Sequence, residues 1–95
     1  MKIEINNIEL QELLSALKGK DFNKVQKWVK TNSDTDPNSI YKSIYNALYE
    51  FLIPQSIPEV ILIIAKYQYQ AAFCMDSEIN LIACLVEIML DAKFK

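Results

Sequence analysis

Histidine and arginine are both missing from this 95-residue chain, and glycine occurs once. Each absence removes a class of chemistry. Without histidine there is no imidazole general base, no triad built on one, and no histidine-ligated metal. With Gly19 alone, neither a phosphate-cradling loop nor a dinucleotide fingerprint can be formed, so the chain by itself is not expected to hydrolyse nucleotide. Without arginine the bidentate fork that reads guanine edges is unavailable. Cysteine is scarce too. Cys74 and Cys84 fall in apolar runs, too few for a disulfide framework and too isolated for a metal pair, so both are expected to be structural and reduced. The longest uncharged apolar run, Val60 to Ala65, is far shorter than the roughly 20 residues that span a bilayer. Met1 to Asn7 alternates polar and apolar residues and does not read as a secretory leader. A cytoplasmic protein without membrane contact is expected.

What is present is apolar. Hydrophobic residues make up 52% of the chain at a net charge of −2, against the usual 45–50% or so. One glycine and three prolines leave few interruptions, and Leu, Ile, Ala, Lys and Glu favour helix. The length suits one domain, residues 1–95. The expected fold is all-α, a single compact bundle of about five helices.

Caps and periodicity place those helices. The first covers about 8–18, with Leu10, Leu13, Leu14 and Leu17 on one stripe. Asn6 and Glu9 stand at capping-box spacing, and Gly19 is expected to end the helix in the left-handed conformation. The second covers about 21–31, capped by Asp21, with Phe22, Val25, Trp28 and Val29 inward. The third covers about 37–52, starting at Asp36-Pro37. Its apolar face is Ile40, Ile44, Ala47, Leu48 and Phe51, with Tyr41, Tyr45 and Tyr49 on a neighbouring one. The fourth covers about 58–74, with Ser56 and Glu59 as a second capping box. The fifth covers about 77–92, capped by Asp76 or Ser77.

The last two helices carry more apolar surface than a small bundle needs. Val60 to Ala65 and Leu81 to Val86 hold no polar side chain on any face, whereas a surface helix keeps one apolar stripe. The polar strip of the fourth helix, Glu59, Lys66 and Gln70, is interrupted by Leu62. That of the fifth, Asn80, Glu87 and Asp91, is interrupted by Cys84. Part of this surface is therefore expected to meet another subunit or a further part of the same protein. The candidate interface residues are Ile61, Ile64, Tyr67, Gln68 and Gln70, then Asn80, Cys84, Glu87 and Ile88.

Other features have plainer readings beside their functional ones. Lys18, Lys20, Lys24, Lys27 and Lys30 cluster around the second helix, and Lys20, Lys24 and Lys27 are expected to share a face. They could contact phosphate, but no stacking aromatic or arginine accompanies them, and a solvated face is favoured. Tyr41, Tyr45, Tyr49, Tyr67 and Tyr69 suit either an interface or the rim of a core. Carboxylate pairs such as Glu9 with Glu12, and Glu87 with Asp91, read as solvated surface. No catalytic group, cofactor site or metal site is identified, and an enzyme is not expected.

The stretch Ser56 to Gln70, with its Ser56-Ile57-Pro58-Glu59 start and Tyr67-Gln68-Tyr69-Gln70 end, resembles a helix in the C-terminal collar domain of sliding-clamp-loader small subunits, of the replication factor C kind and particularly those of large tailed phages. Asp76 to Met89, with Glu78-Ile79-Asn80-Leu81, is similar to the closing helix of that domain. The short helix before Gly19, Asp21-Phe22-Asn23-Lys24-Val25 leading to Trp28, and Asp36-Pro37 also fit, so the resemblance spans residues 8–92. It implies a non-catalytic oligomerisation domain that packs with other collar domains and holds AAA+ ATPase modules in a ring. Its partners would be other clamp-loader subunits, with self-association. Sliding clamp and primed DNA would be reached only through ATPase modules, whose nucleotide loop, acidic magnesium motif and arginine finger have no counterpart here. The compartment implied is the cytoplasm of an infected bacterium. Two alternatives are a helical nucleic-acid-binding module using the lysines and a small phage regulator that binds a host protein.

Overall fold

Four aspartate and asparagine side chains set where the helices begin. In the computed structural model, which describes residues 6–73 and 75–95, Asn6 caps α1 (Asn7–Lys18) in a reciprocal box. Its side-chain oxygen accepts from Glu9 N–H at 2.8 Å, and Glu9 Oε1 accepts from Asn6 N–H at 2.9 Å. Asp21 caps α2 (Phe22–Thr31), Asp36 with Pro37 opens α3 (Pro37–Phe51), and Asp76 accepts from both Glu78 and Ile79 N–H to start α5 (Ser77–Asp91). Each carboxylate or amide satisfies an N–H that the first helical turn leaves open. The remaining helix, α4 (Ile57–Ala71), follows a 3₁₀ turn at Pro54–Ser56. The domain is all-α, with five helices among the described residues. The alternation at Met1 to Ile5 and the burial expected of Cys74 lie outside those residues.

α5 is the centre of the bundle. It packs against α1 and α2 on one side and α4 on the other, while α3 closes the structure by packing against α4 and, more lightly, α1. The core combines the inward stripes of every helix: Leu13 and Leu17, Val25 and Val29, Ile40, Ile44 and Leu48, Val60, and Leu85 and Ile88 are essentially inaccessible. Burying such side chains contributes roughly 1.5–3 kcal/mol each. No helix among the described residues is long and apolar enough to cross a membrane.

Three local expectations are corrected. Gly19 is not left-handed; its φ of −77° is ordinary helix. The left-handed residue is Lys20, with φ 54°. Lys20 N–H bonds to Leu17 C=O and Asp21 N–H to Ala16 C=O, the paired bonds that close a helix C-terminus, with lysine where glycine is usual. Lys20 tolerates this because its ammonium donates to Met89 C=O at 2.7 Å, tying the turn to the end of α5. Lys20 therefore precedes α2 and does not share a face with Lys24 and Lys27.

Gly19, freed from that role, only loosens the unfolded chain. A Cβ there would meet nothing nearer than Ser15 O at 3.4 Å. Gly19→Ala is expected to raise stability by about 0.4–1 kcal/mol, read as a higher melting temperature by circular dichroism.

The third correction is Ser56. Its side chain makes no helix cap with Glu59. It is buried and accepts from Lys93 N–H at 2.8 Å. That bond belongs to a strap formed by residues 92–95 across the end of α3. Ile53 N–H donates to Lys93 C=O, Lys95 N–H donates to Phe51 C=O, and Leu52 and Phe94 form an antiparallel bridge. The Phe94 ring lies 5.8 Å from Phe51, and the Lys20 ammonium lies 5.9 Å from the Phe94 centroid.

Candidate subunit-packing face on the fourth and fifth helices

One member of the expected α5 polar strip, Asn80, points inward, Glu87 is half-buried and Asp91 is exposed, while Ile79 and Leu90 of the same helix point out. Asn80 is buried at the α4–α5 contact, where its amide donates to Tyr41 Oη at 2.9 Å and to Tyr67 C=O at 3.0 Å. Cys84 and Ile88 are fully buried, and Ile64 is 4% exposed. These four proposed interface residues are packing residues of the chain's own core. The reason is that α5 is enclosed on two sides, so Asn80 and Glu87 fall at the seam with α4 and are satisfied there by hydrogen bonds. Ile61 and Tyr67 are half-buried, and Gln68 and Gln70 are exposed.

Glu87 closes the seam at the surface. Lys66 donates to both its carboxylate oxygens at 2.9 and 3.0 Å, and Tyr67 Oη reaches Oε1 at 3.4 Å. Hydrogen bonding to Glu87 raises the Lys66 pKa above its usual value. Burial, then the Glu87 charge, raises that of the Tyr67 hydroxyl. Burial, helped by Glu87, pushes the Cys84 thiol up to about 12. A neutral, enclosed thiol has no thiolate to offer as nucleophile or ligand. Among the described residues no group of three or more histidine, cysteine, aspartate or glutamate side chains could hold a metal ion.

The raised values give a pH dependence. An unfolded Cys84 ionises near its ordinary value of 9.0, whereas the folded one holds its proton to about 12. Between those limits the unfolded state binds fewer protons, so stability falls as pH rises, by up to ~1.4 kcal/mol per pH unit for one proton. Tyr67 and Lys66, raised in the same sense, act in the same direction. Stability should be unaffected by these groups below pH 9 and decline above it. Cys84→Ala should be less stable at pH 7 yet show a flatter decline from pH 9 upward in urea titrations.

Around this satisfied seam the exterior is oily. On α4, Leu62 is 72% exposed, Tyr69 72% and, just past the helix end, Phe73 73%; with Ala65 they recur at helical spacing along one outer row. Tyr69 and Phe73 rings pair at 5.2 Å. On α5, Ile79 and Leu90 are exposed and Ala83 and Val86 half-buried, again at one helical spacing. Met75, between the helices, is fully exposed. Single exposed apolar residues are normal, but aligned rows on adjacent helices are the form an interface takes. The interruption of the α4 strip by Leu62 was the sequence signal for this face. Ile79 and Leu90 had no such signal, because α5 is apolar at nearly every position.

The tyrosines divide. Tyr41 is wholly buried, while Tyr45, Tyr49 and Tyr69 are exposed. Lys24 and Lys27 line a groove of about 680 Å³ between α1 and α2, opposite Glu9 and Glu12 and over Ala16 and Trp28. Trp28 is fixed there by its indole N–H, which donates to Glu9 C=O at 2.8 Å. With Lys20 engaged elsewhere and carboxylates facing the other two, the three lysines do not make a common phosphate-binding surface. The sequence matches no known protein family and no curated protein.

Proposed function

We propose that this chain is a non-catalytic subunit-assembly domain that covers the outer rows of α4 and α5 with a neighbouring subunit. The observation that carries this reading is the outward alignment of Leu62, Tyr69 and Phe73 with Ile79 and Leu90 around a seam whose polar groups are already paired. Removing apolar surface from water is the main drive to association, at roughly 25 cal/mol per Å². The resemblance of residues 8–92 to clamp-loader collars supports a finer statement. In it the domain acts in DNA replication in the cytoplasm, packing with other collar domains to keep AAA+ modules in a ring, with clamp and DNA contacted only through those modules.

Sedimentation at high micromolar concentration tests the assembly reading. The native chain should associate reversibly, and a Leu62→Glu, Tyr69→Glu double variant should remain folded and monomeric. A strictly monomeric native chain defeats the reading. The finer statement is tested separately in the coding sequence upstream of Met1, where an open frame carrying a phosphate-binding loop is expected.

A further inference from the structure

The carbonyl end of α3 is left open by its own sequence. Pro54 has no N–H to give the Glu50 carbonyl. Ile53 N–H, which a continuing helix would aim at Tyr49 C=O, turns instead to Lys93 C=O at 3.1 Å. Residues 93–95 supply the missing donors. Lys95 N–H donates to Phe51 C=O at 3.0 Å, and the Lys95 ammonium donates to Tyr49 C=O at 2.8 Å. Ser56 Oγ accepts from Lys93 N–H, and Phe94 pairs with Leu52 in antiparallel register while its ring lies on Phe51. This is how an added strand is held: backbone bonds give the grip and side-chain seats give the choice. Two side chains are read here, the Phe94 ring and the Lys95 ammonium. Lys93 is exposed and bonds through its backbone.

The seat is longer than the strap in it. Beside Lys95 a cleft of about 260 Å³ opens between α1 and the end of α3, with Leu14 and Phe51 as its apolar lining. Lys18 and Glu50 both line it, so it carries no net sign. The strap also sits lightly, with the Phe94 ring only half-buried.

We infer that the seat at the end of α3 is a peptide-recognition site, occupied in cis by residues 93–95, that admits an extended segment of another protein. The segment it fits places an aromatic residue on Phe51, a lysine next to it at the Tyr49 carbonyl, and an apolar residue after that in the cleft. The strap is thus an autoinhibitory contact. Tethered to α5, it acts at an effective concentration in roughly the millimolar range. The backbone bonds exchange one for one, so the incoming segment displaces the strap through the contact the strap lacks, its apolar residue against Leu14 and Phe51. The site shares no residue with the outer rows of α4 and α5, and the two readings stand or fall separately.

The probe is acetyl-Lys-Phe-Lys-Leu-amide, titrated against the native chain and against a chain lacking residues 93–95, with circular dichroism checking the fold. The peptide should raise the melting temperature of the shortened chain and slow amide exchange at Ile53. It should bind the native chain at least tenfold more weakly, because the strap competes. Should the shortened chain fail to fold, full-length Phe94→Ala takes its place and should bind more tightly than the native chain. Replacing the peptide's phenylalanine by alanine should abolish binding, and omitting its leucine should weaken it. No change at the Ile53 amide in any chain, binding that ignores the phenylalanine, or native and strap-deficient chains binding equally overturns the inference. Equal binding without the leucine overturns the part given to the cleft.

Discussion

Asn80→Asp is expected to cost on the order of 3–5 kcal/mol at neutral pH, the range for leaving a buried charge without its partner. The asparagine amide donates twice, to Tyr41 Oη and to Tyr67 C=O. A carboxylate of the same shape donates to neither and would face the Tyr67 carbonyl with like partial charge, within a site only 6% exposed. For a domain this size each kcal/mol lowers the melting temperature by roughly 4–8 °C, so a fall above ~12 °C is expected. The sign of the pH response identifies the cause. Burial raises the new carboxyl above its unfolded value near 3.9, so lowering the pH protonates it in the folded state first and restores a donor. The deficit of Asn80→Asp relative to the native chain should shrink as pH approaches 4. Tyr41→Phe, which removes one partner hydroxyl, should cost only about 1 kcal/mol. A deficit that does not change with pH would mean that shape, and not charge, makes the site intolerant.

Phe94→Ala is the second large effect, about 2 kcal/mol or somewhat more, below the 3–5 of a fully buried phenylalanine because the ring is half-buried. Its ring stacks on Phe51 and underlies the Lys20 ammonium, and its backbone bridges Leu52. Loss of the ring should loosen the whole strap. Amide exchange would report this at Ile53 and Lys95, whose N–H groups bond to Lys93 C=O and Phe51 C=O. Ser56→Ala attacks the same strap from the other side by removing the acceptor of Lys93 N–H. The two substitutions share one unit, so their costs should fall short of additive. Full additivity, or unchanged exchange at Ile53 and Lys95, would show that the strap contributes little.

The capped starts of α1, α2, α3 and α5 were all legible in the residues. A cap is a contact between groups two or three positions apart, and Asn6, Asp21, Asp36 and Asp76 make it with whatever chain follows. The inward stripes of α1, α2 and α3 were legible for the same reason, since each has a polar face to contrast with its apolar one, except that Phe22, expected inward, is 44% exposed at the start of α2. Helical class and bundle architecture follow from these local choices, and so does the surplus of apolar surface at the C-terminal end.

The tertiary structure alone decided which way α5 turns. Nearly every position on that helix is acceptable inside, so its orientation depended on partners far along the chain: Tyr41, 39 positions from Asn80, and Lys66, 21 from Glu87. Those bonds drew Asn80 inward, set Glu87 at the rim of the seam and left Ile79 and Leu90 outside. Lys20 in a glycine conformation and Ser56 serving the strap have the same origin. Each is held by an atom near the end of the chain, 69 positions away for Lys20 and 37 for Ser56. Local spacing cannot encode a hydrogen bond whose acceptor or donor is brought near only when the bundle closes.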